Sequence, residues 1–334
     1  MRKKATHDGL TVHAVAGTYV VLLTFTLGEA DCPGLKGFAI HRTDHTDQEA
    51  GWLQGMKVFR ATDPGLAPGM KHSTRLQPIQ DFWWSDYTAK AGHKYTYKVV
   101  ALKGDPQNLI PHAEVSVTLH AESTEGEEHG IYFNRGATAS QEYSRRFGKL
   151  RPPEDNMAHP VWGWLSRGAH EAIIDFIGRA QGDTWGIRVG AYEFRLPSVS
   201  DALDKARDLG ADVKILFDAG KEFPREENRA EAVRAKIKGL CKERVPKPAA
   251  LSHNKFIVLL KKGKAVAVLL GSTNFSLGGV YGQSNVVHTV ENSDIAAAYL
   301  DYWEQLSKNP EKAVLAPYLT ENYPAPSAPH PSRA

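Results

Sequence analysis

Cysteine is almost missing from this chain: among 334 residues there are two, Cys32 and Cys241. They fall in different halves, with no metal-ligand or redox spacing around either. That excludes a disulfide-stapled scaffold and a cysteine-built zinc site, and it suits free thiols in a reducing compartment. Long apolar runs are missing too. No stretch reaches the roughly 18 to 20 apolar residues that a membrane-spanning helix needs. The start "MRKK", followed later by "VHAVAGTYVVLLTFTLG", imitates a leader peptide, but the run is short, rich in β-branched residues and not followed by a small-residue cleavage pattern. Cytoplasmic residence without integral membrane contact is the expectation. Nor is there a large charge of either sign: 41 Lys and Arg against 38 Asp and Glu leave +3, so bulk charge names no partner. There is no Walker or dinucleotide loop, metal-ligand cluster or internal repeat, so neither a metal nor another cofactor is expected.

What is present divides the chain in two, which its length allows. Residues 1–125 hold short β-rich runs broken by Gly, Pro and Asp, among them "YVVLLTFTL", "GFAIHRT", "FWWSDYT", "HKYTYKVVAL" and "AEVSVTLHA". Alternation in "YTYKVVAL" sets Tyr95, Tyr97 and Val99 on one face. Strands alone at this spacing predict an antiparallel β-sandwich, and the "GHKYTYKVVAL" segment resembles a fibronectin type III or immunoglobulin-like module. Trp83, Trp84 and Tyr87 are expected in its core or at a contact rather than in a ligand platform. The acidic "AESTEGEEHG" (121–130) reads as a linker.

From 126 to 316 strands and helices alternate, which predicts an α/β domain with a mostly parallel sheet. "IYFN", "WGIRVGAYEF" and "ADVKILFDA" read as strands, "AHEAIIDFIGRAQ" and "VSDALDKARDLG" as helices. One helix is expected over "ENRAEAVRAKIKGL". A hairpin follows, "SHNKFIVLL" and "AVAVLL" about the turn "KKGK". "NSDIAAAYLDYWEQL" closes the domain as a helix capped by Asn292 or Ser293. The Pro- and Ser-rich stretch 317–334 is expected to be disordered.

The chemistry lies in the hairpin. In a strand, positions i and i+2 share a face, so His253 and Lys255 of "SHNKFIV" project together while Ser252 and Asn254 turn away. The second strand ends in "GSTN". There Gly271 lets the backbone approach an anion, and Ser272 and Asn274 offer donors. An imidazole that attacks phosphorus beside a fixed cation and hydrogen-bond donors is a site for metal-free phosphoryl transfer. His-x-Lys alone is a weak signal; its linkage to Gly-Ser-x-Asn across two strands carries the weight.

The pattern "HNK…GSTNFS…GQSN" resembles the HxK–GSxN signature of the phospholipase D superfamily over residues 130 to 310. The chain is most similar to the first half of longer bacterial members that begin with a β-sandwich. The resemblance implies a phosphohistidine on His253, with phosphate held by Lys255 and Asn274, and Gly271 and Ser272 fit the family's Gly-Ser. Two positions depart from it. The aspartate expected five residues after the lysine is Leu260. The family's Asn-x-Glu aligns with Gln283-Ser284-Asn285, which leaves Gln283 and Asn285 as supporting residues and the histidine without its carboxylate. Glu193 in "AYEF" is a candidate carboxylate at the sheet end.

This reaction needs two histidines, one to attack and one to protonate the leaving alkoxide. Among 14 histidines only His253 stands in His-x-Lys, and His288 is the one other nearby. Three arrangements follow: a homodimer pairing two copies of His253 across one phosphodiester, a separate complementary partner, or an inactive half acting as a binding or assembly subunit. Ten Lys and Arg between Arg234 and Lys264 against the single acid Glu243 suggest a polyanionic substrate, nucleic acid or anionic lipid, without choosing between them.

Overall fold

The computed structural model describes residues 1–63, 65, 70–136, 138, 140–148, 151–154, 156–248 and 250–325. The chain divides into two compact units, Met1–Thr124 and Glu125–Ala334. The putting together of strands in the first and of strands with helices in the second follows the change of pattern near residue 125.

The N-terminal unit consists of antiparallel strands. They are β1 (Arg2–His7), β2 (Leu10–Ala16), β3 (Val21–Leu27), β4 (Gly37–Asp44), β5 (Glu49–Trp52), β6 (Gln54–Gly55), β7 (His72–Ser73), β8 (Trp83–Asp86), β9 (Lys94–Asp105) and β10 (Asn108–His120). One sheet has the order β1-β2-β3-β8 and another β10-β9-β4-β5, while β6 and β7 pair alone. Alternate residues of both four-stranded sheets meet in one core, with Val12, Leu23, Ile40, Tyr95, Tyr97, Val99 and Val117 all buried. Period-2 patterning sets this arrangement, because each strand has one apolar face to hide. The aromatic cluster departs from expectation. Trp84 packs at the edge of the core, but Trp83 and Tyr87 are 52% and 77% exposed, since β8 is an edge strand and both point away from its buried side.

The C-terminal unit runs β11 (His129–Phe133), α1 (Gln141–Phe147), α2 (Pro160–Ser166), α3 (Ala169–Gly178), β12 (Trp185–Ala191), α4 (Pro197–Asp208), β13 (Asp212–Asp218), α5 (Glu222–Arg234), β14 (Cys241–Arg244), β15 (Lys255–Lys261), β16 (Lys264–Gly271), β17 (Val286–Val290), α6 (Ser293–Ser307) and α7 (Lys312–Asn322). One seven-stranded sheet has the order β11-β17-β16-β15-β12-β13-β14. Its two faces are covered separately. Ile257 and Leu259 of β15 join the core beneath α2 to α5, whereas Phe256, Val258 and Leu260 pack with Trp303 and Leu306 of α6. That double cover explains why β15 reads as a continuous apolar run.

Several expectations are corrected here. The sheet is not mostly parallel: β12–β13 and β13–β14 are parallel, and the other four pairings are antiparallel. The cause is the hairpin, whose turn residues Lys262 and Gly263 both take positive φ, so the chain reverses in two residues without a helical crossover. The helix expected over 227–240 instead begins at Glu222 and stops at Arg234, because Lys236 turns to positive φ. The following Cys241–Arg244 is an edge strand that the charged pattern concealed. Residues 317–322, expected to be disordered, complete α7, where Tyr318 and Tyr323 hydroxyls donate to Asp301; residues 326–334 lie outside the described ones. Of the two cap candidates, Asn292 caps α6 by accepting from Asp294 and Ile295 N–H. Among the described residues no helix is long and apolar enough to cross a membrane.

Candidate active site

One end of the seven-stranded sheet gathers the motif residues. Lys255, the first residue of β15, pairs with Ala191 at the end of β12. Phe256 pairs with Leu270, and Gly271 with Val287. The ends of β12 and β16 and the starts of β15 and β17 therefore share one edge of the sheet, where Asp218 also ends β13.

The strand expected from Ser252 begins only at Lys255. The lead-in is held by side chains instead: Ser252 N–H donates to Asp218 Oδ1 (2.7 Å), Asn254 Nδ2 to Ser252 Oγ (2.9 Å), and Tyr302 OH to Asn254 Oδ1 (3.0 Å). His253 and Lys255 nevertheless meet. The His253 ring stands edge-on to Tyr192, with centroids 4.7 Å apart. The Lys255 ammonium lies 5.4 Å from the same ring and donates to the His253 carbonyl at 3.2 Å. Tyr192 is thus the wall they share.

Both groups lose protons easily. Burial lowers the His253 pKa and the Lys255 charge lowers it further, while Glu193 and Asp218 oppose both effects. Burial and the neighbouring ammonium thus favour the neutral imidazole. Burial brings the Lys255 ammonium down to about 8, against an opposing pull from Glu193.

The Gly-Ser-Thr-Asn segment takes roles that its sequence does not announce. Gly271 sits at φ +147°, and a Cβ there would overlap the Val286 carbonyl; close approach of β17, rather than of an anion, accounts for the glycine. Ser272, expected on phosphate, is turned into the loop. Its Oγ donates to Asn285 Oδ1 (2.9 Å) and accepts from Val286 N–H (3.1 Å). Asn285 is a brace, with Nδ2 donating to the Gly279 carbonyl (2.8 Å). Gln283 is exposed, and its carbonyl accepts from Asn134. Asn274 differs from these: its buried Oδ1 has no hydrogen-bond partner.

Other expectations separate. Leu260 pairs with Gly186 and Ala265, near the hairpin turn, about 16 Å along the strand from Lys255 and on the α6 face. A carboxylate there would add nothing to the site's charge. His288 pairs with Leu270, whose side chain packs in the α6-side cluster, and it shares a hydrogen bond with His129 at 3.0 Å. It is not a proton donor facing Lys255. The cationic run does not form one surface: Lys261, Lys262 and Lys264 sit at the far end of the hairpin, Arg234 pairs with Glu231 and Asp201, and buried Arg244 donates to Asn309.

Three residues were not legible beforehand. Asn134, buried at the end of β11, donates to the Val280 and Gln283 carbonyls and accepts from Asn285 N–H. Asp218 fixes the turn before His253 through Ser252 and Gly220 N–H. Tyr192 supplies the ring. A polar residue closing an apolar strand was the available signal for the first two.

Comparison with known proteins agrees with this geometry. Residues 173–307 match the family model "Cardiolipin synthase, PLD-like domain". A protein named phospholipase D from Rickettsia bellii (strain RML369-C) is 31% identical over 118 residues, which are 35% of this chain and 54% of that protein. The chain thus spans about half the length of the curated relative it matches. Among solved structures, Nuc from Salmonella typhimurium has a TM-score of 0.35 at 24% identity, covering 42% of this chain and 88% of its own. NucT from Helicobacter pylori has 0.35 at 15%, covering 43% and 90%. Those two likenesses are weak. Residues 173–307 of the C-terminal unit thus carry a phospholipase D-like domain.

Proposed function

We propose that this protein is a phosphodiesterase that works through a phosphohistidine on His253, in a site completed by a second copy of the chain. The observation that carries the reading is the meeting of a neutral imidazole and an ammonium against Tyr192, at the sheet edge where the Gly-Ser-Thr-Asn segment begins. His253 forms the P–N bond as the P–O bond to the leaving alkoxide breaks, and the alkoxide takes a proton from His253 of the partner subunit. Water then attacks the phosphohistidine and gives its proton to that same imidazole; the P–N bond breaks and a phosphomonoester leaves. Lys255 and Asn274 bind the non-bridging oxygens, and the scheme needs no metal. Ser272, Asn285 and Gln283 shape the loop that presents Asn274. The substrate is a phosphodiester of lipid or nucleic acid.

Two accompanying readings are ours as well. We take the N-terminal sheets to be a fibronectin type III-like module, supported by the sheet orders and by the Lys90 N–H donating to the Tyr95 hydroxyl (2.8 Å) at the start of β9, as in a tyrosine corner. We place the protein in the cytoplasm, in keeping with two unpaired thiols.

Hydrolysis of bis-p-nitrophenyl phosphate in EDTA, together with light scattering, tests the main reading. The expected outcome is a dimer whose turnover falls at least about a thousandfold in His253→Asn with the fold intact; unchanged turnover in that variant refutes it. A second reading, a non-catalytic binding or assembly subunit, is favoured by one observation: the side chain aligned with the family's carboxylate, Asn285, is bonded into the loop. A stable monomer without hydrolysis would select it.

A further inference from the structure

The site needs an anion near its imidazole, because a histidine that alternately gains and loses charge beside a lysine is otherwise pushed toward neutrality. The position aligned with the family's carboxylate holds Asn285. The ladder between β12 and β15 indicates where a substitute stands. Ala191, the last residue of β12, pairs with Lys255, and Glu193 follows on the same segment just past Tyr192, whose ring faces both His253 and Lys255.

Glu193 is also tied to the other half of the motif. Its carboxylate Oε2 accepts from Ser276 Oγ at 2.6 Å, its carbonyl accepts from Phe275 N–H at 3.2 Å, and Phe194 bridges to Phe275. Ser276 lies two residues beyond Asn274, and its hydroxyl also accepts from Gly279 N–H at 3.2 Å. Arg195 approaches Glu193 Oε1 at 3.4 Å and is shared with Glu227, so the carboxylate is held without being fully neutralised.

We propose that Glu193 is the carboxylate of this site, a positioning residue held by Ser276 that keeps positive charge on the His253–Lys255 pair and links the His-x-Lys strand to the Gly-Ser-Thr-Asn segment. The inference rests on the phosphodiesterase reading for its catalytic meaning; its electrostatic content stands on the place of Glu193 beside the Ala191–Lys255 pair and on its bond to Ser276. Glu193 favours the protonated forms of both His253 and Lys255, against burial. Among the described residues, Tyr192 just past β12 and Asp218 at the end of β13 also face the pair, while Arg195, on the loop after β12, and Glu227 on α5 stand on the Glu193 side.

The test is an NMR titration of the His253 ring in the full chain, its resonance assigned by its loss in His253→Asn. In Glu193→Gln the His253 midpoint is expected to fall by about half a pH unit or more, and in Glu193→Asp by clearly less. Ser276→Ala, which frees the carboxylate without removing it, is expected to shift the same midpoint while leaving the fold intact. An unmoved midpoint in Glu193→Gln overturns the proposal; if that variant does not fold, an unmoved midpoint in Ser276→Ala overturns it instead. Where turnover is measurable, the acidic limb of the pH–rate profile should move with the NMR midpoint, and the aspartate variant should restore part of the rate. Wild-type protein without turnover defeats the phosphodiesterase reading and leaves the titration to be judged by itself. Normal turnover with an unmoved midpoint defeats only this inference.

Discussion

Lys255 should cost the fold stability at neutral pH, and replacing it should give that stability back. An ordinary lysine titrates at about 10.4, whereas burial brings this ammonium to about 8. At about 1.4 kcal/mol per pH unit the difference amounts to roughly 3 kcal/mol, and partial exposure of the ammonium reduces the expected effect to about 1 to 2 kcal/mol. The sign follows from proton linkage. Below about pH 8 both folded and unfolded chains carry the proton and the full penalty applies; between about 8 and 10.4 the unfolded chain keeps a proton that the folded site has lost, so stability rises with pH. Lys255→Met, which keeps the stem against Tyr192 and removes the charge, is expected to raise the urea midpoint of the C-terminal unit at pH 7. The gain should shrink at pH 9.5, and turnover should be lost. A variant destabilised equally at both pH values would refute the reasoning, because it would mean that the ammonium's bond to the His253 carbonyl outweighs its desolvation.

Asn134→Ala is expected to lower stability by about 3 kcal/mol, at about 1 to 3 kcal/mol for a buried group left without a partner. It would strand the Val280 and Gln283 carbonyls and the Asn285 amide; urea unfolding measures it, and a loss within 0.5 kcal/mol, the ordinary range for a surface change, would count against the brace. Charge reversal of Lys261, Lys262 and Lys264 to Glu is expected to leave turnover within about twofold, since about 20 Å of strand separates them from Lys255, more than two Debye lengths at physiological salt. A tenfold loss at that ionic strength would return the hairpin tip to the substrate path.

The motif itself was legible, and so was the class of domain that carries it, because a covalent pattern of residue types survives whatever local geometry it adopts. Strand periodicity likewise placed Tyr95, Tyr97 and Val99 in a shared core. What escaped the sequence were consequences of contacts between distant residues. Ser252 to Asn254 look like strand but are captured by Asp218 and Tyr302. Ser272 looks like a ligand but is claimed by Asn285. The lysine-rich run looks like one patch, yet Lys255 and Lys261 stand at opposite ends of one strand, about 20 Å apart. Charge counted along the chain says nothing about which end of a strand it occupies.

The bridge from Phe194 to Phe275 joins residues far apart in the chain, and it is what brings Asn274 toward the strand that leads to Glu193. During synthesis the imidazole and the ammonium emerge before the amide, and the lock between them closes only after residue 275 has left the ribosome. A fragment ending at Gly271 would therefore lack the bridge that holds these two segments together. A protease cut at Lys262–Gly263 would fall at the opposite end of the hairpin from that bridge and leave it untouched.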